Sequence, residues 1–261
     1  MKVRIFGPIL LCVMVLAVAI GCSSGVVKAP NGMTGAEILE MSQNASVNSL
    51  QFSAISVENL MGSEMTMNMI GASDELNHEM YMSMTSPQTS DYMVQMYIVN
   101  GSLYMTNPNN STEWIKTKLK DKIWEEENIA GRQMSLVEGF LDAKYVGKEN
   151  IGGLNCYKID VEPNWETLFN ASGLNDTANI SNEEMVNMIK DSACTAWITE
   201  NTYYPVQIFF SMTFNVAPLG DMTMDMTMTT SNINQPVTIE LPSAATNATE
   251  ISYEDLVAGN Y

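Results

Sequence analysis

The chain has 261 residues, 46% of them apolar, with 30 Asp and Glu against 12 Lys and Arg. That is enough apolar content for one large domain with a real core and too much for a disordered chain. A formal charge of −18 excludes a nucleic-acid partner, because nothing could neutralise a row of phosphates. A single histidine, His78, excludes His-rich metal sites and disfavours a Ser–His–Asp arrangement.

Residues 1–21 read as an address. Lys2 and Arg4 precede an uninterrupted apolar run, Ile9 to Ile20, of 12 residues. This is too short to span a bilayer and suits the h-region of a signal peptide. The run ends Ala19-Ile20-Gly21-Cys22, which resembles the lipobox of prokaryotic lipoproteins, although Ala19 stands where Leu is commonest. That resemblance implies cleavage before Cys22 and acylation of its thiol. The plainer alternative is a cleaved signal with a chance cysteine. Residues 22–32 read as a lipidated tether, since Ser23–Gly32 is small and polar with Pro and Gly, and residues 33–261 as a single domain. Losing residues 1–21 removes two bases and no acid, so an anionic leaflet would repel the acidic body. The expectation is a protein hanging from the membrane on its extracytoplasmic side.

Past the anchor, two cysteines remain, Cys156 and Cys194. Export permits a disulfide between them, closing a loop of 39 residues; two buried free thiols are the alternative. Asn-x-Ser/Thr sequons at Asn44, Asn100, Asn109, Asn110, Asn170, Asn175, Asn179 and Asn247 permit glycosylation without establishing it.

In chain order, Thr34 and Glu37 form a capping-box pattern that opens a helix over 34–46. Period-two alternation follows: Met65, Met67 and Met69, then Met80, Met82 and Met84, then Tyr92, Val94, Met96 and Ile98. Asn100-Gly101 is a strong hairpin signal leading to a strand at 103–106, and 114–119 is the next. Apolar spacing predicts one or two helices over 121–142. Strands at 144–149 and 154–162 flank the turn Gly152-Gly153, and 163–192 is helical with a second capping box at Ser181–Glu184. Strands at 193–200, 204–216, 222–228 and 237–241 follow, with a short terminal helix over 252–258. About eleven short antiparallel strands with helices inserted as blocks make the class α+β. A meander of that length must curl to protect its edges.

Twenty methionines lie beyond residue 21, and ten of them fall in the alternating runs 65/67/69, 80/82/84 and 222/224/226/228. Alternation places each run on one face of a strand. The intervening Thr66, Asn68, Thr223, Asp225 and Thr227 belong in water, so the methionines point inward. Three uses are open: an ordinary core with Met as filler, a cavity wall for an adaptable apolar ligand, or a Cu(I) site. The inward set is Met65, Met67, Met69, Met80, Met82, Met84, Val94, Met96, Ile208, Phe210, Met212, Met222, Met224 and Met226.

Three segments carry a wider resemblance. Lys144–Ile159 resembles a "V-G-x-E-x-x-x-G-x-x-x-Y" strand pair, Ala196–Val206 a "W-I-x-x-x-T-x-x-P" hairpin, and Asn234–Pro242 a closing "P-V-x-I-x-x-P" strand. Gly101–Tyr104 with Trp114–Lys116 is similar to a "G-x-x-Y…W-x-K" hairpin. Together they resemble envelope lipoproteins of the LolA/LppX type, over residues 34–245. The resemblance implies an unclosed antiparallel half-barrel with helices covering its concave face and an apolar cavity beneath. It implies a lipid or a lipidated protein as cargo and offers no catalytic motif. The runs Glu125-Glu126-Glu127 and Glu183-Glu184 read as solvated helix faces, and no phosphate loop or EF-hand is present. The expectation is therefore a monomeric, non-enzymatic cell-membrane lipoprotein with no metal and no cofactor. A structural surface module and a Cu(I)-binding protein are the rivals.

Overall fold

The computed structural model describes residues 27–60, 62–107, 110–119, 140–165, 182–216 and 220–258. Twelve strands form one sheet, antiparallel except for its last pairing. They are β1 (Ser49–Leu60), β2 (Ser63–Asp74), β3 (Glu79–Ser86), β4 (Thr89–Val99), β5 (Ser102–Asn107), β6 (Asn110–Lys118), β7 (Phe140–Ile151), β8 (Leu154–Pro163), β9 (Ile189–Thr199), β10 (Pro205–Val216), β11 (Gly220–Ser231) and β12 (Thr249–Glu250). The order across the sheet is β12-β6-β5-β4-β3-β2-β1-β11-β10-β9-β8-β7. Among the described residues the outer strands β12 and β7 do not pair with each other, so the sheet is unclosed. Among the described residues the helices are α1 (Gly35–Gln43), α2 (Asn182–Met188), α3 (Tyr253–Ala258) and a 3-10 turn at Ser243–Asn247.

Local chemistry sets the turns. Asn100 and Gly101 both take positive φ (51° and 69°) between the paired Val99 and Ser102, as a two-residue primed hairpin requires. Gly152 and Gly153 do the same between Ile151 and Leu154. Thr34 caps α1 through its side chain, and Glu37 returns a bond to the Thr34 amide at 2.7 Å, completing the capping box. Ser252 caps α3 by accepting from the Asp255 amide.

Register, not propensity, decides which residues share a face. One cross-strand row runs Val94, Met84, Met69, Ala54, Met228, Ile208, Ala196, Ile159, Tyr145, from β4 to β7. At roughly 4.8 Å per strand it is about 38 Å long. The next row runs Met67, Ser56, Met226, Phe210, Cys194, Val161, Ala143. All but Ser56 and Cys194 are apolar, and, Met67 and Ser56 apart, they form the main core with Ile38 and Leu39 of α1.

Two glycines allow close approach to this face. A Cβ on Gly35 would sit 2.5 Å from the Ala143 carbonyl oxygen and 2.6 Å from the Tyr145 amide nitrogen, so only glycine lets α1 rest directly on β7. A Cβ on Gly71 would meet the Phe52 ring at 2.3 Å; the missing side chain leaves room for Phe52 to lie across β2.

The opposite face has its own smaller clusters. Tyr81, Tyr97, Tyr104 and Trp114 are covered by Ile239, Leu241 and the fully buried Ala245. The segment 237–241 is therefore no strand: it is an extended strap whose apolar side chains pack on aromatic rings rather than joining the ladder. Cys156, Trp197 and Val206 form another cluster.

Against expectation, β1 and β12 are additional strands and 237–241 is not one. β1 lacks an obvious signal because its inward face reads Leu50, Phe52, Ala54, Ser56, Glu58, mixing polar with apolar. Phe140 to Asp142 begins β7 and Ile189 to Ser192 begins β9, where helix was expected. Residues 120–139 and Ser181 lie outside the described residues.

Candidate functional site

The methionine face is the candidate site. Met67, Met69, Met80, Met82, Met84, Val94, Ile208, Phe210, Met212, Met224 and Met226 are all buried on it, and Met228 joins them. Met96 and Met222 are on the same face and half-buried. Met65 departs from the inward set. It pairs with Glu58 near the β1–β2 turn, beyond the end of β3, and is 39% exposed. Thioethers thus line β2, β3 and β11 side by side, with β1 as a narrow strip between β2 and β11.

That strip carries the polar exceptions. Ser56 stands buried between Met67 and Met226. Glu58, between Met65 and Met224, is pushed above the usual carboxylate range by burial, which neighbouring Ser56 opposes only in part. An acid with little water around it favours its neutral form. Sequence reasoning missed both residues because β1 itself was not recognised.

Cys156 and Cys194 are separate free thiols, which overturns the expected disulfide. Cys194 faces Phe210 and Val161 on the methionine side, whereas Cys156 pairs with Thr199 and points to the other side. Val161 lies five residues beyond Cys156 on β8, about 17 Å along the strand. A disulfide needs Cα atoms within about 7 Å. Burial raises both thiols, Cys194 more strongly.

The segment read as tether is partly fixed. Ala29 is buried in the main core, and Asn31 donates to the Tyr157 hydroxyl at 3.0 Å. The Tyr203 hydroxyl reaches the Met33 sulfur at 3.6 Å. Anchorage on β8 and the β9–β10 turn leaves Val27 and Lys28 exposed at the head of the described chain.

The described residues also form an open groove of about 440 Å³ at the β7–β9 end. Asp142, Lys144, Asp160, Glu162, Lys190 and Asp191 line it, so it is polar, unlike the apolar cavity expected from the stripes. Among the described residues no group of three or more His, Cys, Asp and Glu is placed to hold a metal ion. His78 sits in the β2–β3 turn with positive φ (55°) and is exposed. Among the described residues no helix is long and apolar enough to cross a membrane.

No family model matches the sequence, and no curated protein matches it. Among solved structures, the chain is similar to the Mycobacterium tuberculosis lipoprotein LppX, with 15% identity, a TM-score of 0.44, and coverage of 79% of this chain and 98% of that one. It is similar to LprF from Mycobacterium bovis at 14% identity and a TM-score of 0.46, covering 84% and 99%. It is also similar to a putative outer membrane lipoprotein-sorting protein domain from Vibrio parahaemolyticus, at 10% identity and a TM-score of 0.30, covering 82% and 97%.

Proposed function

We propose that the chain is an extracytoplasmic protein anchored through an acylated Cys22, which binds a lipid or a lipidated protein against its methionine face. The observation that carries this reading is the register: thioethers from β2, β3 and β11 gather on one face of the sheet, interrupted by Ser56 and Glu58 of β1. Unbranched, flexible methionine side chains adapt to acyl chains of differing length better than branched ones do. An acyl chain moving from a bilayer onto such a face changes its exposure to water little, so uptake and release are nearly neutral in free energy. In this reading α1 covers part of the face, and the protein acts as a monomer without catalysis.

Native mass spectrometry of the protein purified from its own membranes tests the cargo. A co-purifying lipid mass, lost when Met82 and Met226 are changed to Asp in a variant that still folds, is the expected result. Protein that carries no lipid and takes up none from vesicles defeats the reading and leaves a surface module filled by its own side chains. Retained Cu(I) after dialysis would instead favour the metal reading. The anchor has its own test: Cys22→Ser should move the protein from the membrane to the soluble fraction.

A further inference from the structure

Cys22 and the buried Ala29 are seven residues apart, a reach of at most about 25 Å. The tether is therefore too short for the body to rotate freely, and the place where the chain meets the fold determines which part faces the bilayer. That place is the Tyr157–Tyr203 pair, stacked with ring centroids 6.5 Å apart, against which Asn31 and Met33 are held. Leu154 is three residues from Tyr157, about 10 Å along β8. The β7–β8 hairpin tip, Ile151-Gly152-Gly153-Leu154, thus lies at the anchored end of the sheet.

The composition of this corner differs from that of the rest of the molecule. Leu154 is 50% exposed at the tip, and Val27 is 52% exposed at the chain's entry. Near the tip Lys148 and Lys158 stand against Glu149 and Glu200, a locally balanced corner in a chain of net charge −18. Lys28 adds a further cation beside Val27. Lys148 pairs with Glu200 and Lys158 with Glu149, yet their side chains stay 42% and 36% exposed. The tip is preformed: the Gly153 amide donates to the Asn150 side-chain oxygen at 3.0 Å, and the Asn150 side-chain Nδ2 donates to the Asn155 Oδ1 at 3.2 Å. At the same end of the sheet, the β2–β3 turn carries Asp74, Glu75 and Glu79, which an anionic surface repels.

We propose that the β7–β8 tip is a membrane-docking corner, with Leu154 entering the lipid interface and Lys28, Lys148 and Lys158 facing lipid phosphates. An exposed apolar residue flanked by cations, held within about 25 Å of the bilayer by a short tether, has the chemistry of an interfacial contact. The docked corner orients the sheet, so that the methionine face meets the bilayer in one fixed attitude.

This inference rests on the reading of Cys22 as the anchor, so the experiment supplies that linkage chemically. The chain from Cys22 onward is coupled through the Cys22 thiol to maleimide lipid in vesicles of brominated phosphatidylcholine and phosphatidylglycerol. Cys156 and Cys194 are buried and do not compete. Variants L154W and S63W place one extra indole at the tip and at the β1–β2 turn; β1 alone separates the two ends by about 36 Å. Unchanged unfolding midpoints establish that both variants keep the fold. The expected result is loss of the added L154W emission to bromine quenching, while the S63W emission persists. An L154W signal quenched no more than that of S63W overturns the docking corner. A soluble Cys22→Ser protein in cells bears only on native anchorage, so the two failures are distinguishable.

Discussion

Gly35 offers a test in which local propensity and tertiary structure predict opposite signs. Gly to Ala in a helix ordinarily gains up to about 1 kcal/mol, because alanine loses less backbone entropy on folding. At Gly35 the added Cβ would lie 2.5 Å from the Ala143 oxygen, 2.6 Å from the Tyr145 nitrogen and 2.8 Å from the Ala143 carbonyl carbon. All three are backbone atoms of β7, held on one side by the β8 ladder, so none can turn aside as a side chain would. Relief requires α1 to lift, which loosens the burial of Ile38 (0% exposed) and Leu39 (7% exposed). Overpacking of this kind costs about 1–3 kcal/mol, and full exposure of the two side chains would cost about 3–6 kcal/mol more. A net destabilisation of about 1–3 kcal/mol is expected for G35A, since a partial shift is the cheaper response. Urea unfolding with an unchanged slope and a lower midpoint would report it. The exposed Glu40→Ala, on the same helix, should be close to neutral. A G35A protein as stable as the parent, or more stable, would refute direct seating of α1 on β7.

Two further expectations follow from the site. In a chain lacking Cys22, Cys156 and Cys194 should both be silent to a thiol reagent in the native state and both react after unfolding, with no difference between reduced and non-reduced gels. A bridged pair would contradict the register that puts them on opposite faces. The second concerns Glu58, whose folded pKa is raised by burial. Its contribution is therefore favourable at low pH and lost as pH rises through the folded pKa. Glu58→Gln should stabilise the protein at neutral pH, with the gain shrinking as the solution is acidified below the carboxylate range. Equal gains at both pH values would show that ionisation at Glu58 is not the cause.

Much of the architecture follows from short-range chemistry. Thr34 and Glu37, Asn100-Gly101 and Gly152-Gly153 specify a cap and two hairpins through groups at most a few residues apart, and these are formed as the sequence implies. Strict alternation places Met67 and Met69, or Met224 and Met226, on a single face whatever the strand's partner is. That face can therefore be read one strand at a time.

Pairing across the sheet could not be read in this way. Whether Cys156 and Cys194 share a face depends on the phase of β8 against β9, which no local signal encodes. β1 escaped notice because its polar Ser56 and Glu58 break the apolar pattern, and only its position between β2 and β11 brings those residues onto the methionine face. The stretch 237–241 alternates like a strand, yet the rings of Tyr81, Tyr97 and Trp114, which it buries, offered its apolar side chains a better contact than a sheet edge. The chain alone determined turns, caps and the sidedness of each strand, because those depend on neighbours in sequence. The tertiary structure decided partners, register and the seating of α1, because those depend on contacts between residues far apart along the chain.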